Sequence, residues 1–120
     1  MLHKNRRWSV WPADSAEALA KMLVQATWTG CQAFTLGGYL FANDAFSGNG
    51  AQEYVVLKPS PDGNSLVEIE SITFSWCSEE RALELIRETL SGKFDANSYG
   101  LVDRSRFQPA AEHKTCYLCT

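Results

Sequence analysis

Residues 54–76, YVVLKPSPDGNSLVEIESITFSW, decide which fold the sequence predicts. Two stretches rich in apolar and β-branched residues, 54–58 and 66–76, lie on either side of residues 59–64. The middle segment contains proline, aspartate and glycine, which tight turns prefer. The pattern therefore predicts an antiparallel β-hairpin at the centre of a sheet.

The apolar side chains change sides along the second strand of this hairpin. Val67 and Ile69 share one parity, whereas Ile72 and Trp76 share the other. A β-bulge or a strong coil near residues 70–71 would produce that change. We therefore expect this long strand to bend.

Helical patterns flank the predicted strands. Residues 12–30 repeat apolar side chains at helical spacing, and Asp14 with Glu17 has the spacing of a capping box. Ser78 is a suitable N-cap for a second helix, which Gly92 can end. We expect two helices, one before and one after the strands.

The remaining segments complete an α+β fold. Within residues 31–46, Gly37 and Gly38 form either a tight hairpin or a bulge, and residues 99–107 contain a short edge strand at most. We expect an antiparallel sheet of about 4–5 strands with two helices packed on one face. The expected order is α-β-β-β(-β)-α-tail, without the βαβ alternation of a doubly wound fold.

Length and composition fit one globular domain over residues 1–120, with flexible ends at 1–7 and 109–120. Hydrophobic residues make up 45% and charged residues 21%, which excludes the composition of a disordered chain. We find no export signal and no apolar stretch long enough to span a membrane, so we expect a cytoplasmic protein.

The charge pattern does not favour nucleic acid or a membrane surface as a partner. The formal net charge is only −3, and the basic residues that stand out are confined to the N-terminal segment 3–7. Trp8 and Trp11 follow that segment, and basic residues among aromatics can bind nucleic acid. We interpret the segment as a solvated tail, because charges at a chain end usually are.

Aromatic residues are the main candidates for binding. The chain has four Trp, six Phe and four Tyr, more than one small core is expected to absorb. Our leading hypothesis is a non-enzymatic binding module that uses an aromatic-rich sheet face, as a homodimer. The alternative is a protein, which could be an enzyme, that binds a small molecule in a pocket enclosed by the bent sheet and the first helix. The candidate binding residues are Trp28, Tyr39, Phe41, Tyr54, Glu68, Glu70 and Trp76.

Glu68 and Glu70 are candidates because residues two apart on a regular strand point the same way, so their carboxylates could form an acid/base pair. A half-exposed strand explains them equally well. The chain has only two histidines, both near its ends, and no phosphate-binding glycine loop. The sequence therefore favours a non-enzymatic role, but it does not decide whether the chain is an enzyme.

A third hypothesis is a zinc-stabilised C-terminal tail. His113, Cys116 and Cys119 have a spacing that zinc accepts, and Cys31 or Cys77 could supply a fourth ligand. A second pair of ligands at the usual spacing is missing. Free thiols explain the cysteines of a cytoplasmic chain as well, so we expect no cofactor other than this possible zinc.

Overall fold

Seven strands and two helices make up the part of the chain that the computed structural model describes, residues 6–25, 32–44, 53–74 and 77–110. The strands are β1 (Trp8–Pro12), β2 (Gln32–Leu36), β3 (Tyr39–Asn43), β4 (Glu53–Pro59), β5 (Ser65–Thr73), β6 (Leu101–Asp103) and β7 (Phe107–Pro109). The helices are α1 (Ala16–Gln25) and α2 (Glu79–Leu90), and a 3-10 turn (Arg104–Arg106) joins β6 to β7.

The sheet has the order β6-β5-β4-β3-β2-β1-β7 and contains both parallel and antiparallel pairs. It curls into a half-barrel. The expected antiparallel sheet of about 4–5 strands is therefore wrong, and so is the order α-β-β-β(-β)-α-tail. The prediction missed β1, which precedes the first helix, and the C-terminal strands that it had treated as one short edge strand followed by a tail.

The first three elements form a βαβ unit, which the sequence pattern was expected to lack. β1 pairs in parallel with β2, with Trp11 opposite Phe34, and α1 provides the crossover between them. β7 pairs in parallel with the other edge of β1, with Trp8 opposite Phe107. Parallel pairing leaves no turn signal in the sequence, which is why local patterns do not reveal it.

The curl of the sheet follows from a short connection between its two edges. β6 and β7 lie at opposite ends of the strand order, yet only the three-residue turn Arg104–Arg106 separates them. A flat sheet of this size would place its outer strands about 29 Å apart. Four residues of extended chain reach only about 14 Å. The sheet must therefore bend until its edges approach.

The central hairpin is confirmed, and its second strand contains the expected irregularity. β4 pairs with β5 in antiparallel fashion, and the register shifts so that Val56 faces Glu70 while Leu57 faces Glu68. Ile69 is left without a partner across the ladder, as in a β-bulge. On a regular strand, Ile69 and Ile72 would point to opposite faces, because they are three residues apart. With the bulge, both lie in the core beneath the helices.

The two adjacent glycines form a hairpin, not a bulge. Leu36 faces Tyr39 across a two-residue connection, and Gly37 and Gly38 have φ of +60° and +87°. Positive φ at both central residues is what a type I′ hairpin turn requires. The Thr35 hydroxyl donates to the Tyr39 carbonyl at 3.0 Å and helps to close the turn.

Both helices begin at a serine cap. The Ser15 hydroxyl accepts from the Ala18 N–H at 3.0 Å, so the cap of α1 lies one residue after the expected Asp14. Ser78 accepts from the Arg81 N–H, as expected for α2. Helix α1 is described as far as Gln25. Neither helix in the described ranges is long and apolar enough to cross a membrane.

The sheet has a different core on each of its faces. On one face, Leu19 and Leu23 of α1 and Ile86 of α2 pack on sheet residues such as Phe41. We call this the helix-side core. The other face, the open face, carries a smaller cluster, the open-face core, formed by Trp8, Ala33, Ala42, Val55, Leu57, Leu66 and Val102.

The chain ends are described only in part. Arg7 donates to the Ser105 carbonyl at 3.3 Å, and Pro109 lies in β7, opposite Val10. The expectation of flexible ends therefore concerns residues that lie mostly outside the described ranges.

The close approach of the β2–β3 turn to α2 yields a prediction. A Cβ atom on Gly37 would lie 2.9 Å from Leu90 Cδ2, whereas one on Gly38 would meet nothing within 4 Å. Alanine at either position costs about 1–2 kcal/mol because φ is positive. We expect Gly37→Ala to lower the free energy of unfolding by more than Gly38→Ala does. This extra loss should disappear when Leu90 is also replaced by alanine.

The measurement is a double-mutant cycle by urea unfolding, with Gly38→Ala as the matched control. The cost of Gly38→Ala should be the same in the wild-type and Leu90→Ala backgrounds. A Gly37→Ala cost that does not depend on the side chain at position 90 would contradict the packing of this turn against α2.

Candidate small-ligand pocket

The described aromatic candidates on the strands are used mainly to fill the helix-side core. Phe41 and Tyr54 are fully buried there. The Tyr54 ring lies edge-on to Phe74, with centroids 5.8 Å apart, and 6.4 Å from the Phe34 ring. These rings therefore do not form an exposed face, and they occupy the space beneath α1 where the alternative hypothesis had put a pocket.

Tyr39, another aromatic candidate, has a polar role. Its hydroxyl donates to the Asp95 carboxylate, with oxygen separations of 2.8 and 3.0 Å. Lys58 Nζ donates to the Asp95 carbonyl at 2.6 Å. Together, Tyr39 and Lys58 attach the turn that follows α2 to β3 and β4, which is a structural role.

Glu68 and Glu70 do not form a pair of carboxylates. Directly opposite residues of an antiparallel ladder share a face, so Glu68 shares the face of Leu57 and Glu70 that of Val56. Leu57 belongs to the open-face core and Val56 to the helix-side core. The bulge at Ile69 thus places the two glutamates on opposite faces, and sequence spacing alone gave the wrong geometry.

The other predicted site residues lie outside the described ranges. This applies to the aromatic candidates Trp28 and Trp76 and to the zinc candidates Cys31, His113, Cys116 and Cys119. Cys77 is described and is a free thiol. Within the described ranges, no three His, Cys, Asp or Glu residues are placed to hold a metal ion. The zinc hypothesis therefore stays a prediction.

A pocket of about 350 Å³ opens on the face of the sheet that the helices leave uncovered. The curl of the sheet brings together side chains of β1, β2, β3, β5 and β7 around it. We call it the open-face pocket, and its lining residues are Val10, Pro12, Thr35, Leu40, Leu66, Arg104, Phe107 and Pro109.

The open-face pocket has an apolar floor and an exposed rim. Leu66 is buried and belongs to the open-face core, against which Val10 and Phe107 pack. Pro12 and Arg104 are exposed at the rim. An apolar molecule that entered the pocket would therefore reach the open-face core, while a polar group could stay near the solvent.

Trp8 stabilises the wall beside the pocket. Its indole Nε1 donates to the Asn43 carbonyl at 2.8 Å, which ties β1 to the end of β3 across β2. Its ring stacks on Phe107 with centroids 5.3 Å apart, and the Arg106 guanidinium lies 5.2 Å from the ring centroid. The stacked Trp8 ring therefore holds the Phe107 ring in place before any ligand binds, so the wall of the pocket that Phe107 forms is preorganised.

Four arginines gather at the turn between β6 and β7. Arg7 donates to the Ser105 carbonyl, and Arg106 Nε donates to the Arg6 carbonyl at 3.0 Å. Arg104 Nη1 donates to the Gly63 carbonyl at 3.0 Å. We call Arg6, Arg7, Arg104 and Arg106 the arginine cluster; it contains four of the chain's eleven basic residues.

Asp103 is the carboxylate at the start of this turn. It accepts from the Ser105 N–H at 2.8 Å. The hydrogen bonds from Ser105, followed by the charges of Arg106 and Arg7, lower the pKa of Asp103. The carboxylate is engaged by its own turn, and it does not line the open-face pocket.

The lining of the open-face pocket was not predicted from the sequence. Its residues come from segments spread between Val10 and Pro109, and none of the eight was singled out as a site residue. The basic N-terminal segment was noticed, but its approach to Arg104 and Arg106 depends on the parallel pairing of β1 with β7. No local pattern could reveal it.

A larger groove of about 520 Å³ runs along α2, but it is a weaker candidate. All its lining residues, which include Glu80, Glu84 and Arg87, belong to α2 or its C-cap. Side chains from one helix cannot enclose a ligand, and Arg81 and Arg87 already pair with Glu84 and Glu17. The groove is a solvated helix face.

The contact between Tyr39 and Asp95 predicts a pH dependence. The hydrogen bond to the carboxylate, then partial burial and the negative charge of Asp95, raise the pKa of Tyr39. The contact therefore stabilises the fold below the pKa of an unfolded tyrosine, about 10, and its contribution is lost as pH rises through the raised value. We expect the stability difference between wild type and Tyr39→Phe to shrink at high pH.

Tyrosinate absorbance and urea unfolding across this pH range provide the measurement. Asp95→Asn should lower the pKa of Tyr39, because it removes the charge that opposes ionisation. Tyr99→Phe, which changes a tyrosine that is 60% exposed, is the control. A Tyr39 pKa that is the same with aspartate or asparagine at position 95 would contradict the assigned cause.

Comparison of the chain with protein-family models, curated proteins and solved structures finds no match.

Proposed function

We propose that this protein binds a small, largely apolar molecule in the open-face pocket. The observation that supports this most directly is an apolar pocket of about 350 Å³ beside a preorganised wall. Sites for small molecules have volumes of roughly 300–1,000 Å³, are mainly apolar and contain a few polar groups that orient the ligand. The open-face pocket has these properties.

The lining favours an apolar ligand body because it contains few polar groups that a ligand would have to satisfy. Pro12 and Pro109 have no N–H. The Thr35 hydroxyl already donates its hydrogen to the Tyr39 carbonyl, although its oxygen can still accept. Apolar burial contributes about 25 cal/mol for each Å² removed from water, so contact with Leu40, Leu66 and Phe107 would drive binding.

The small-molecule hypothesis had put the pocket between the bent sheet and α1, whereas the open-face pocket lies on the other face of the sheet. The space beneath α1 is filled by the helix-side core, which also buries Phe41 and Tyr54. Because both side chains are buried, they do not support the hypothesis that an aromatic sheet face is the binding surface. A homodimer and a cytoplasmic location are not needed for ligand binding, and both stay predictions.

The test uses N-phenyl-1-naphthylamine, a neutral dye that fluoresces in apolar surroundings. We expect saturable binding of one dye per folded chain, with a dissociation constant in the micromolar range. Leu40→Trp should weaken this binding about tenfold or more, because the larger side chain fills the volume that the ligand would occupy. The measurement is a fluorescence titration.

Leu101→Trp is the matched control, since Leu101 is 71% exposed and does not line the open-face pocket. If Leu40→Trp unfolds the protein, as judged by circular dichroism, Val10→Trp fills the same pocket from β1. Absence of saturable dye binding, or equal affinity in a folded pocket-filled variant, would refute the proposed function.

A further inference from the structure

We infer that the ligand of the open-face pocket is an amphiphilic anion, an apolar body with one negatively charged group that Arg104 binds. This inference rests on the proposed function and adds the chemical class of the ligand. Arg104 is the ionisable side chain among the lining residues that the structure describes, and those residues include no carboxylate.

Arg104 is held where it can bind a ligand without much further ordering. Its Nη1 donates to the Gly63 carbonyl at 3.0 Å, which fixes the guanidinium to the β4–β5 turn. A guanidinium has five N–H donors, and this contact uses one of them. Fixing a long side chain in advance lowers the entropy lost on binding. Arg104 can therefore offer donors to an anion at the rim.

The surrounding charges favour an anion at this position. Arg7, just before β1, donates to the Ser105 carbonyl of the turn at 3.3 Å, and Arg106 of the turn donates to the Arg6 carbonyl at 3.0 Å. Asp103 is the acidic residue of the turn, and its carboxylate accepts from Ser105. The Asp62 carboxylate, next to Gly63 in the β4–β5 turn, accepts from the Ser60 hydroxyl and the Asn64 N–H. Arg7, Arg104 and Arg106 outnumber the carboxylates of these two turns, which favours an anion at the rim.

The geometry also limits how much charge the ligand carries. Arg104 is the member of the arginine cluster that lines the pocket, whereas Arg106 lies over the Trp8 ring. A phosphate-rich polymer would contact the exposed arginines and would have no use for the apolar floor. One charged group on an apolar body uses both Arg104 and the floor that includes Leu66. A carboxylate or a sulfonate fits this description, because a guanidinium binds either oxyanion with paired donors.

The experiment compares two dyes with the same ring system. N-phenyl-1-naphthylamine is neutral, and 8-anilinonaphthalene-1-sulfonate adds one sulfonate. We expect the sulfonate dye to bind the wild-type protein about tenfold more tightly at low salt, a preference that one charge-assisted contact can supply. The preference should decrease as salt is added. Both dissociation constants are measured by fluorescence titration.

Arg104→Gln is the decisive variant. We expect it to abolish the preference for the sulfonate dye while leaving the affinity for the neutral dye unchanged. Arg7→Gln removes a charge from the same cluster outside the pocket lining and should retain most of the preference. Arg81→Gln, on the exposed side of α2, is the distant control and should have no effect.

The outcomes separate the two proposals. Binding of the neutral dye with no preference for the sulfonate dye, or a preference that survives Arg104→Gln, overturns the inference and leaves the proposed function intact. If the neutral dye does not bind, the proposed function fails and the inference fails with it. Equal losses in Arg7→Gln and Arg104→Gln, with displacement of the dye by a single-stranded oligonucleotide, would show a polyanion surface and also overturn the inference.

Discussion

The three-residue turn between β6 and β7 is the constraint on which the rest of the structure depends. It joins the two edges of the sheet, so the sheet has to curl until those edges approach. The curl brings Leu66 of β5 near Val10 of β1, although three strands separate them in the sheet. A flatter sheet would leave these side chains on an open surface without a pocket.

β1 holds the curled arrangement together. It is paired on both edges by parallel strands, β2 and β7, and the Trp8 indole ties it to the Asn43 carbonyl. The same strand contributes Val10 and Pro12 to the pocket and carries Arg7 to the turn near Arg104. The fold and the proposed site therefore depend on one short strand near the N-terminus.

Local signals in the sequence predicted the elements that are defined by local interactions. The Ser78 cap, the turn between β4 and β5 and the parity change around Ile69 each depend on residues that are close along the chain. Even there, the sequence did not show that the bulge places Glu68 and Glu70 on opposite faces of the sheet. The first strand could not be predicted in this way: Trp8–Pro12 is short, ends in proline and finds its partners at distant positions. The open-face pocket could not be predicted for the same reason, since its residues come together only after those strands pair.

The order in which the chain is made adds a constraint on folding. β7 pairs with β1, and these strands come from opposite ends of the described chain. During synthesis, one edge of β1 has no strand beside it until residue 109 has left the ribosome. Pairings between distant segments also form slowly, because loop closure costs entropy before the contacts stabilise the fold. Until β7 has been made, the unfinished chain thus exposes an unpaired strand edge, which is a recognised starting point for aggregation.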